Sequence, residues 1–260
     1  MTAVQRSRDH LDWPQLLLPW QVVRRLAVHG TLLGQFTLRD VLSRYRGSYL
    51  GVVWSLLNPL VMMGIMSIIF TRVFNSATKH FPVFLLIGLV TWQWVQNSVT
   101  SATQVFVHHA DIIKRTVFSR WLLPVSAVLS YGINFLIESL ALLAFIPIFP
   151  GAFKVSWALL LVPVLLLALL LTLVGISLAT SVLNVIYRDV AYLVNTALLL
   201  LYWLTPVIYP FSVVPEPFRS VLRWNPIGAV LTALRDAIML GQAPDRWGAL
   251  TIVVPVAAAL

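Results

Sequence analysis

The sequence predicts an all-α integral membrane protein with six transmembrane helices. Of its 260 residues, 59% are hydrophobic and only 10% are charged, against about 25% charged in soluble domains. Phe81 to Val107, Val155 to Tyr187 and Val190 to Pro215 contain no Asp, Glu, Lys or Arg at all. Runs of that length cross a bilayer core of about 30 Å as helices rising about 1.5 Å per residue. Helices also satisfy their own backbone inside lipid. A water-soluble enzyme is excluded. No cleaved secretory leader is expected, because the first long apolar run begins near position 50, behind a polar head containing arginines. The net charge of +9 is spread over loops, so it serves orientation, and no nucleic-acid partner is expected. Without Cys, disulfides and thiolate metal sites are excluded.

The chain divides into a cytoplasmic head, 1–49, and a transmembrane region, 50–260. Spans are predicted at 50–71, 81–107, 121–149, 155–186, 190–210 and 247–260, with a separate segment at 211–242. Eleven Lys and Arg fall on one side: Arg6, Arg8, Arg24, Arg25, Arg39, Arg44, Arg46, Lys114, Arg115, Arg120 and Arg188. The other side has seven, four of them in or beside the long outer segment, where the positive-inside rule acts weakly. The N-terminus is therefore expected in the cytoplasm. The last span holds 14 residues, about 21 Å of helix. The natural chain is expected to continue beyond it.

Within the head, Leu38–Tyr49 reads as an amphipathic helix. Leu38, Val41, Leu42, Tyr45 and Tyr49 share one face, and Arg39, Asp40, Ser43, Arg46 and Gly47 the other. That pattern suits a helix lying in the cytoplasmic interface. Between the second and third spans, 108–120 is polar and basic but carries Ile112, Ile113, Val117 and Phe118 among its charges. It reads either as a solvated hairpin or as a docking site for a cytoplasmic partner, centred on His108, Asp111, Lys114 and Arg115. From the end of the fifth span onward, Pro206, Pro210, Pro215 and Pro217 break the descending helix. Asn225-Pro226 then gives an N-cap followed by proline at the first helical position. The helix from Pro226 to Leu240 would measure about 22 Å, too short to span. A re-entrant gate is favoured over a surface flap, with Pro210, Pro226, Arg235 and Asp236 as its marker residues.

Catalytic constellations are missing. No Gly is followed by Lys, so there is no phosphate-cradling loop. The histidines lie in loops or the head, and His108-His109 has a poor spacing for metal. Glu138 is the one acid inside a span, some 24 Å along the third from Leu122. It is a functional candidate by default, although a hydrogen-bonded or vestibule-facing carboxyl near Asn134 is favoured over a proton relay. Tyr45, Tyr49, Trp54, Trp121, Trp157 and Tyr187 suit an interfacial belt. Trp92 and Trp94 fall near the centre of their span, about 200° apart around the helix. Two readings stay open for them: packing, with the indole N–H bonded to Gln93 or Gln96, or the wall of a sugar-wide conduit. Tyr49, Trp54, Tyr131, Tyr202 and Trp203 complete the candidate conduit set.

Arg44-Tyr45-Arg46-Gly47-Ser48-Tyr49-Leu50-Gly51, with Trp54 and Asn58-Pro59-Leu60, resembles the membrane subunit of bacterial ATP-binding-cassette (ABC) transporters that export lipid-linked polysaccharides. Leu123-Pro124, Tyr187-Arg188-Asp189, Thr205-Pro206-Val207-Ile208-Tyr209-Pro210, Asn225-Pro226, Arg235 and Gly241 extend the resemblance over about 30–245. It implies an interface helix bearing Arg39, Arg44, Tyr45 and Arg46. It also implies a coupling helix at His108–Phe118 seated on an ATPase subunit, and outer gate helices before the last span. One departure is Ser119, where the family often has Pro after the hairpin Phe. O-antigen is the favoured cargo, with capsule, galactan and teichoic acid in the same family. The expected assembly is a homodimer with two ATPase subunits, which hold ATP and Mg; no cofactor is expected on this chain. Six spans enclose a sugar-wide channel poorly, and a two-fold pair lines one with both copies. A drug exporter, a membrane transferase and a proton-driven carrier hung on Glu138 are the competing classes.

Overall fold

The computed structural model describes residues 19–47, 53–73, 80–115, 118–144 and 147–243. Among the described residues all regular structure is helical. Three helices are long and apolar enough to cross a membrane, at Val53–Arg72, Leu122–Leu140 and Trp157–Ile186. The predicted span 247–260 lies outside the described residues.

Helix α1 runs from Pro19 to Tyr45, 27 residues, and Gly47 then turns the chain at φ 82°. The expected start at Leu38 is corrected. The part of that pattern within the helix, 38–45, is only the end of a longer stripe in which Leu33 and Thr37 are already buried against the bundle. Leu38 and Leu42 stay 56% and 61% exposed, so the end of this helix turns part of its polar face inward and these two leucines outward. That suits a lipid-facing position.

Helix α2 (Val53–Ile68) contains Pro59, its one buried residue, and ends in a π-helical turn, Ile69–Val73. It lies at the periphery and exposes Val53, Trp54, Leu57, Val61, Met62, Ile65 and Ile68. Helix α3 (Phe81–His108) is the centre of the molecule. Its start is set by Pro82 in the first turn, after His80 in the left-handed region. Long enough to span at 28 residues, it falls outside the apolar set because Thr91, Gln93, Gln96, Asn97, Ser98, Thr100 and Thr103 are interleaved with its valines. Of these, Thr91 and Thr103 are buried and bonded inside the protein. Thr103, for example, donates to Val99 O and also lies 2.9 Å from Thr180 Oγ1. In lipid, such contacts and close packing replace the hydrophobic effect as the force between helices.

A short helix α4 (Ala110–Arg115) follows, then α5 (Leu122–Ala144). A 3-10 turn, Trp157–Leu161, leads into α6 (Val162–Ile186). Helices α3, α5 and α6 form the packed heart, built on Leu85, Leu86, Val90, Val128, Leu165, Leu169 and Leu173. Helix α7 covers only Val190–Leu204, 15 residues; the predicted continuation to 210 is corrected. Thr205 is extended (φ −100°, ψ 138°), as expected of a residue before proline. Beyond the break come α8 (Glu216–Arg223) and α9 (Pro226–Arg235), the latter continued by a π-helical turn, Asp236–Leu240. Gly241 closes it at φ 67°. Helix α9 is buried along most of its length, with Ile227, Val230, Leu231 and Leu234 against α3 and α6. It is seated in the bundle rather than on its surface.

Candidate functional site

The sequence singles out the hairpin, the head helix, Glu138, the aromatic set and the outer segment, and the fold gives each a distinct environment. The hairpin between α3 and α5 contains six helical residues, Ala110–Arg115. His108, Asp111, Lys114 and Arg115 are exposed and Ile113 is half-buried. The side chain of Ile112, and Val117 as a whole, lie outside what is described. Helix α1 grips this hairpin. Phe36 meets Phe118 at 5.3 Å between ring centroids, and the Arg39 guanidinium lies 5.1 Å from the Phe36 ring. Arg39 Nη2 donates to Asp40 Oδ1 at 2.9 Å and to His109 Nε2 at 3.2 Å. His109 Nδ1 in turn lies 3.1 Å from Val105 O. Both contacts are met by the neutral ring with its proton on Nδ1. Asp40 also accepts from Ser126 Oγ at 3.4 Å.

Farther along α1, the side chains climb α5. Arg44 Nη2 donates to Ser130 Oγ at 3.1 Å, and its guanidinium lies 3.7 Å from the Tyr131 ring centroid. Tyr45 donates to Asn134 Oδ1 at 2.7 Å. From the His29–Trp121 ring contact at 6.0 Å to Tyr45–Asn134, α1 follows α5 through about 20 Å of helix rise. The ties to α5 thus extend along the C-terminal half of α1 and are not confined to one crossing. Glu138, 2% exposed, takes a hydrogen bond from the Ser55 side chain and feels the charge of Arg44. Its neighbours thus come from the head helix and α2, and not from an outer vestibule. Arg46 is exposed at the turn.

The aromatic set separates into two kinds. Trp94 is packing: its indole N–H points to Val128 O at 3.4 Å, and it stacks on Phe135 at 4.8 Å. Gly132 lies beside that ring, where a Cβ would sit in ordinary van der Waals contact with it. Trp92 donates to Gln96 at 3.1 Å and meets Tyr202 edge-on at 5.5 Å, and Tyr202 meets Trp203 at the same distance. Tyr131 is covered by Arg44. Trp54 and Trp203 are exposed by 56% and 58%, and Tyr49 lies outside the described residues.

At the opposite end, Asn225 caps α9 as the sequence predicts, with its Oδ1 3.1 Å from both Ile227 N and Gly228 N. Its Nδ2 donates to Thr205 Oγ1 at 2.8 Å. Arg235 is buried, and its three nitrogens donate to main-chain oxygens: Nε to Phe84 at 3.1 Å, Nη2 to Val207 at 2.6 Å, and Nη1 to Pro206. Asp236 adds a favourable charge beside it, while Pro226 and Pro210 are half-buried at the two ends of the region.

The chain matches the family model for the ABC-2 type transporter membrane component over residues 31–239. It belongs to the ABC-2 type transporter family. Among its relatives, this ABC-2 chain is 32% identical over 210 residues to the O-antigen export system permease protein RfbA of Klebsiella pneumoniae, covering 81% of each chain. The RfbA of Myxococcus xanthus is 31% identical over 227 residues, 86% of each. The polysialic acid transport protein KpsM of Escherichia coli is 26% identical over 215 residues, 78% of this chain and 80% of that one.

Sequence reasoning found the hairpin, the cap and Arg235 of this ABC-2 chain. It missed Phe36, His109, Ser130 and Asn225's second partner, Thr205. Phe36 is the one with a legible signal, lying one turn from Leu33 and Asp40 on the same stripe of the head helix. Gly88 was also passed over, although only glycine fits beneath the Arg235 guanidinium.

Proposed function

We propose that this chain is the membrane subunit of an ATP-driven ABC exporter that moves a lipid-linked polysaccharide, with O-antigen as its cargo, across the bacterial cytoplasmic membrane. The observation that carries this reading is the identity with O-antigen export permeases across four-fifths of the chain. The weaker but equally extended similarity to KpsM keeps capsular polysaccharide as the second cargo.

In this reading the head occupies 1–49 and the permease region 50–260. Six spans include α3, the short α7 and 247–260, with the N-terminus in the cytoplasm. Two copies pair around the conduit and rest on two ATPase subunits, which hold ATP and Mg. The exposed Asp111, Lys114 and Arg115 form the seat on the ATPase, and Phe36 and Arg39 pass its movement to the head helix. Exposed aromatics such as Trp54 and Trp203, continued by Tyr202, offer flat faces along which sugar C–H groups slide. Trp92 supports Tyr202 edge-on, while Trp94 and Tyr131 pack against Phe135 and Arg44. The segment 211–242 closes the outer mouth, with α9 as its fixed part. ATP drives export because the closed ATPase pair binds one arrangement of the hairpins better than the other.

The test is reconstitution. The full chain is co-expressed with the ATPase encoded beside it, purified and placed in proteoliposomes with lipid-linked O-antigen. Co-purification and ATP-dependent glycan transfer are expected. A chain that brings down no ATPase, and vesicles in which ATP moves no glycan, would overturn the reading.

A further inference from the structure

Arg235 is 5% exposed, and burying a cation is costly unless its donors are met. The break after α7 supplies the acceptors. Helix α7 ends at Leu204, and the carbonyls past a helix end have no intrahelical donor. Pro206 adds no N–H of its own. The guanidinium offers a planar fork of five N–H groups. That fork reaches Pro206 O and Val207 O on one side and Phe84 O, in the first turn of α3, on the other. Its plane rests 3.5 Å from the Phe84 ring centroid. A Cβ at Gly88 would collide with the Arg235 guanidinium and with Val207 O, so α3 makes room for the clamp by omitting a side chain. At the other end of α9, Asn225 binds Thr205. The short helix is thus fastened to the break at both its ends, about 15 Å apart by helix rise.

We propose that Arg235 is a positioning residue of the outer gate, clamping α9 to the end of α7 and the first turns of α3 so that the three move as one body and seal the mouth between transport cycles. This deepens the permease reading and rests on it for the meaning of the mouth. Lysine retains the charge but carries its three donors on one nitrogen, which does not span oxygens met by three separate nitrogens of the guanidinium. Alanine at Gly88 attacks the same contact from the other helix without touching Arg235.

Arg235→Lys, Gly88→Ala, their double variant and Phe84→Leu are prepared as full complexes with the ATPase in proteoliposomes. Three quantities are read: ATP hydrolysis, glycan transfer, and passive leak of a trapped anionic dye without ATP. Expected for Arg235→Lys and Gly88→Ala is assembly with ATP hydrolysis within about twofold of wild type, and dye leak raised about tenfold, the loss of charge-assisted hydrogen bonds acting on the closed state. The double variant leaks no more than the worse single one, because both break one contact. Phe84→Leu keeps the carbonyl and removes the ring, and leaks about threefold. Tight vesicles for both single variants overturn the proposal. If neither assembles, an assembled Phe84→Leu variant with wild-type leak overturns it as well, and a leaky one upholds it. A wild-type complex that moves no glycan counts against the permease reading alone, since the leak comparison still decides the clamp.

Discussion

Around the break at 205–208, Arg235 is fastened to main-chain oxygens of Phe84, Pro206 and Val207. Around α1 the ties run from side chain to side chain: Arg44 to Ser130, Tyr45 to Asn134, Arg39 to His109 and Phe36 to Phe118. Carbonyls held in a helix or beside a proline cannot change rotamer, so a clamp on them has one arrangement. Side-chain partners on two helices can exchange when one helix slides by a turn, as packed elements with two discrete arrangements do. The difference separates a part built to stay together from a part built to shift. It matches the proposed division of work, with the outer body rigid and the head moving with the ATPase.

The strongest way to break this comparison lies at Glu138, where the head helix meets α2 and α5. Glu138→Leu removes the acceptor of the Ser55 hydrogen bond and the counter-charge of Arg44. Leaving one partly buried donor unmet and a nearby cation without its counter-charge costs about 3 kcal/mol. Thermal unfolding of the detergent-solubilised complex should drop accordingly, and protease should cut α1 before the bundle core. Glu138→Gln keeps the shape and an acceptor oxygen, and export near the wild-type rate is expected. If Glu138→Gln abolished export while folding normally, the acid would be a working proton site rather than an anchor for the head.

At the rigid end, Asn225→Ala removes two cap contacts and the bond to Thr205, for about 2 kcal/mol in all. Asn225→Asp keeps the capping oxygen but loses the donor to Thr205, so it should recover about half of that. Equal losses for the two variants would show that the cap alone matters and that α9 is not tied to the break through Thr205.

What the sequence revealed and what it hid follow from distance along the chain. The Asn225-Pro226 cap was legible because cap and helix start are adjacent, and the chemistry of an N-cap needs no distant partner. Arg235 could be named but not explained, because its acceptors lie 151 and 28 residues away. Tyr45 and Asn134 are separated by 89 positions. Glu138 was therefore assigned a depth and no neighbour from the head. The end of α7 at Leu204 was placed six residues late for another reason: 205–210 is as apolar as a span, although Pro206 and Pro210 already mark a break there. The two central tryptophans had open alternatives because period places a ring on a face without saying what covers it. The ring of Trp94 is covered by Phe135, a residue 41 positions farther along the chain.

The smallest expected effect tests the sliding part of the comparison most directly. Phe36→Leu removes the ring contact with Phe118 and the face beneath Arg39 but keeps apolar bulk, at about 1 kcal/mol. Such a loss shifts the unfolding midpoint by only a few degrees. If the head helix carries hairpin movement into the bundle, glycan exported per ATP hydrolysed should fall severalfold, because hydrolysis continues while its stroke is lost in a loosened joint. Phe118→Leu should give the same uncoupling from the other side, and the double variant should add little to either. A ratio equal to wild type in all three would make α1 a passive support, and its side-chain ties would then differ from the Arg235 clamp in strength but not in purpose.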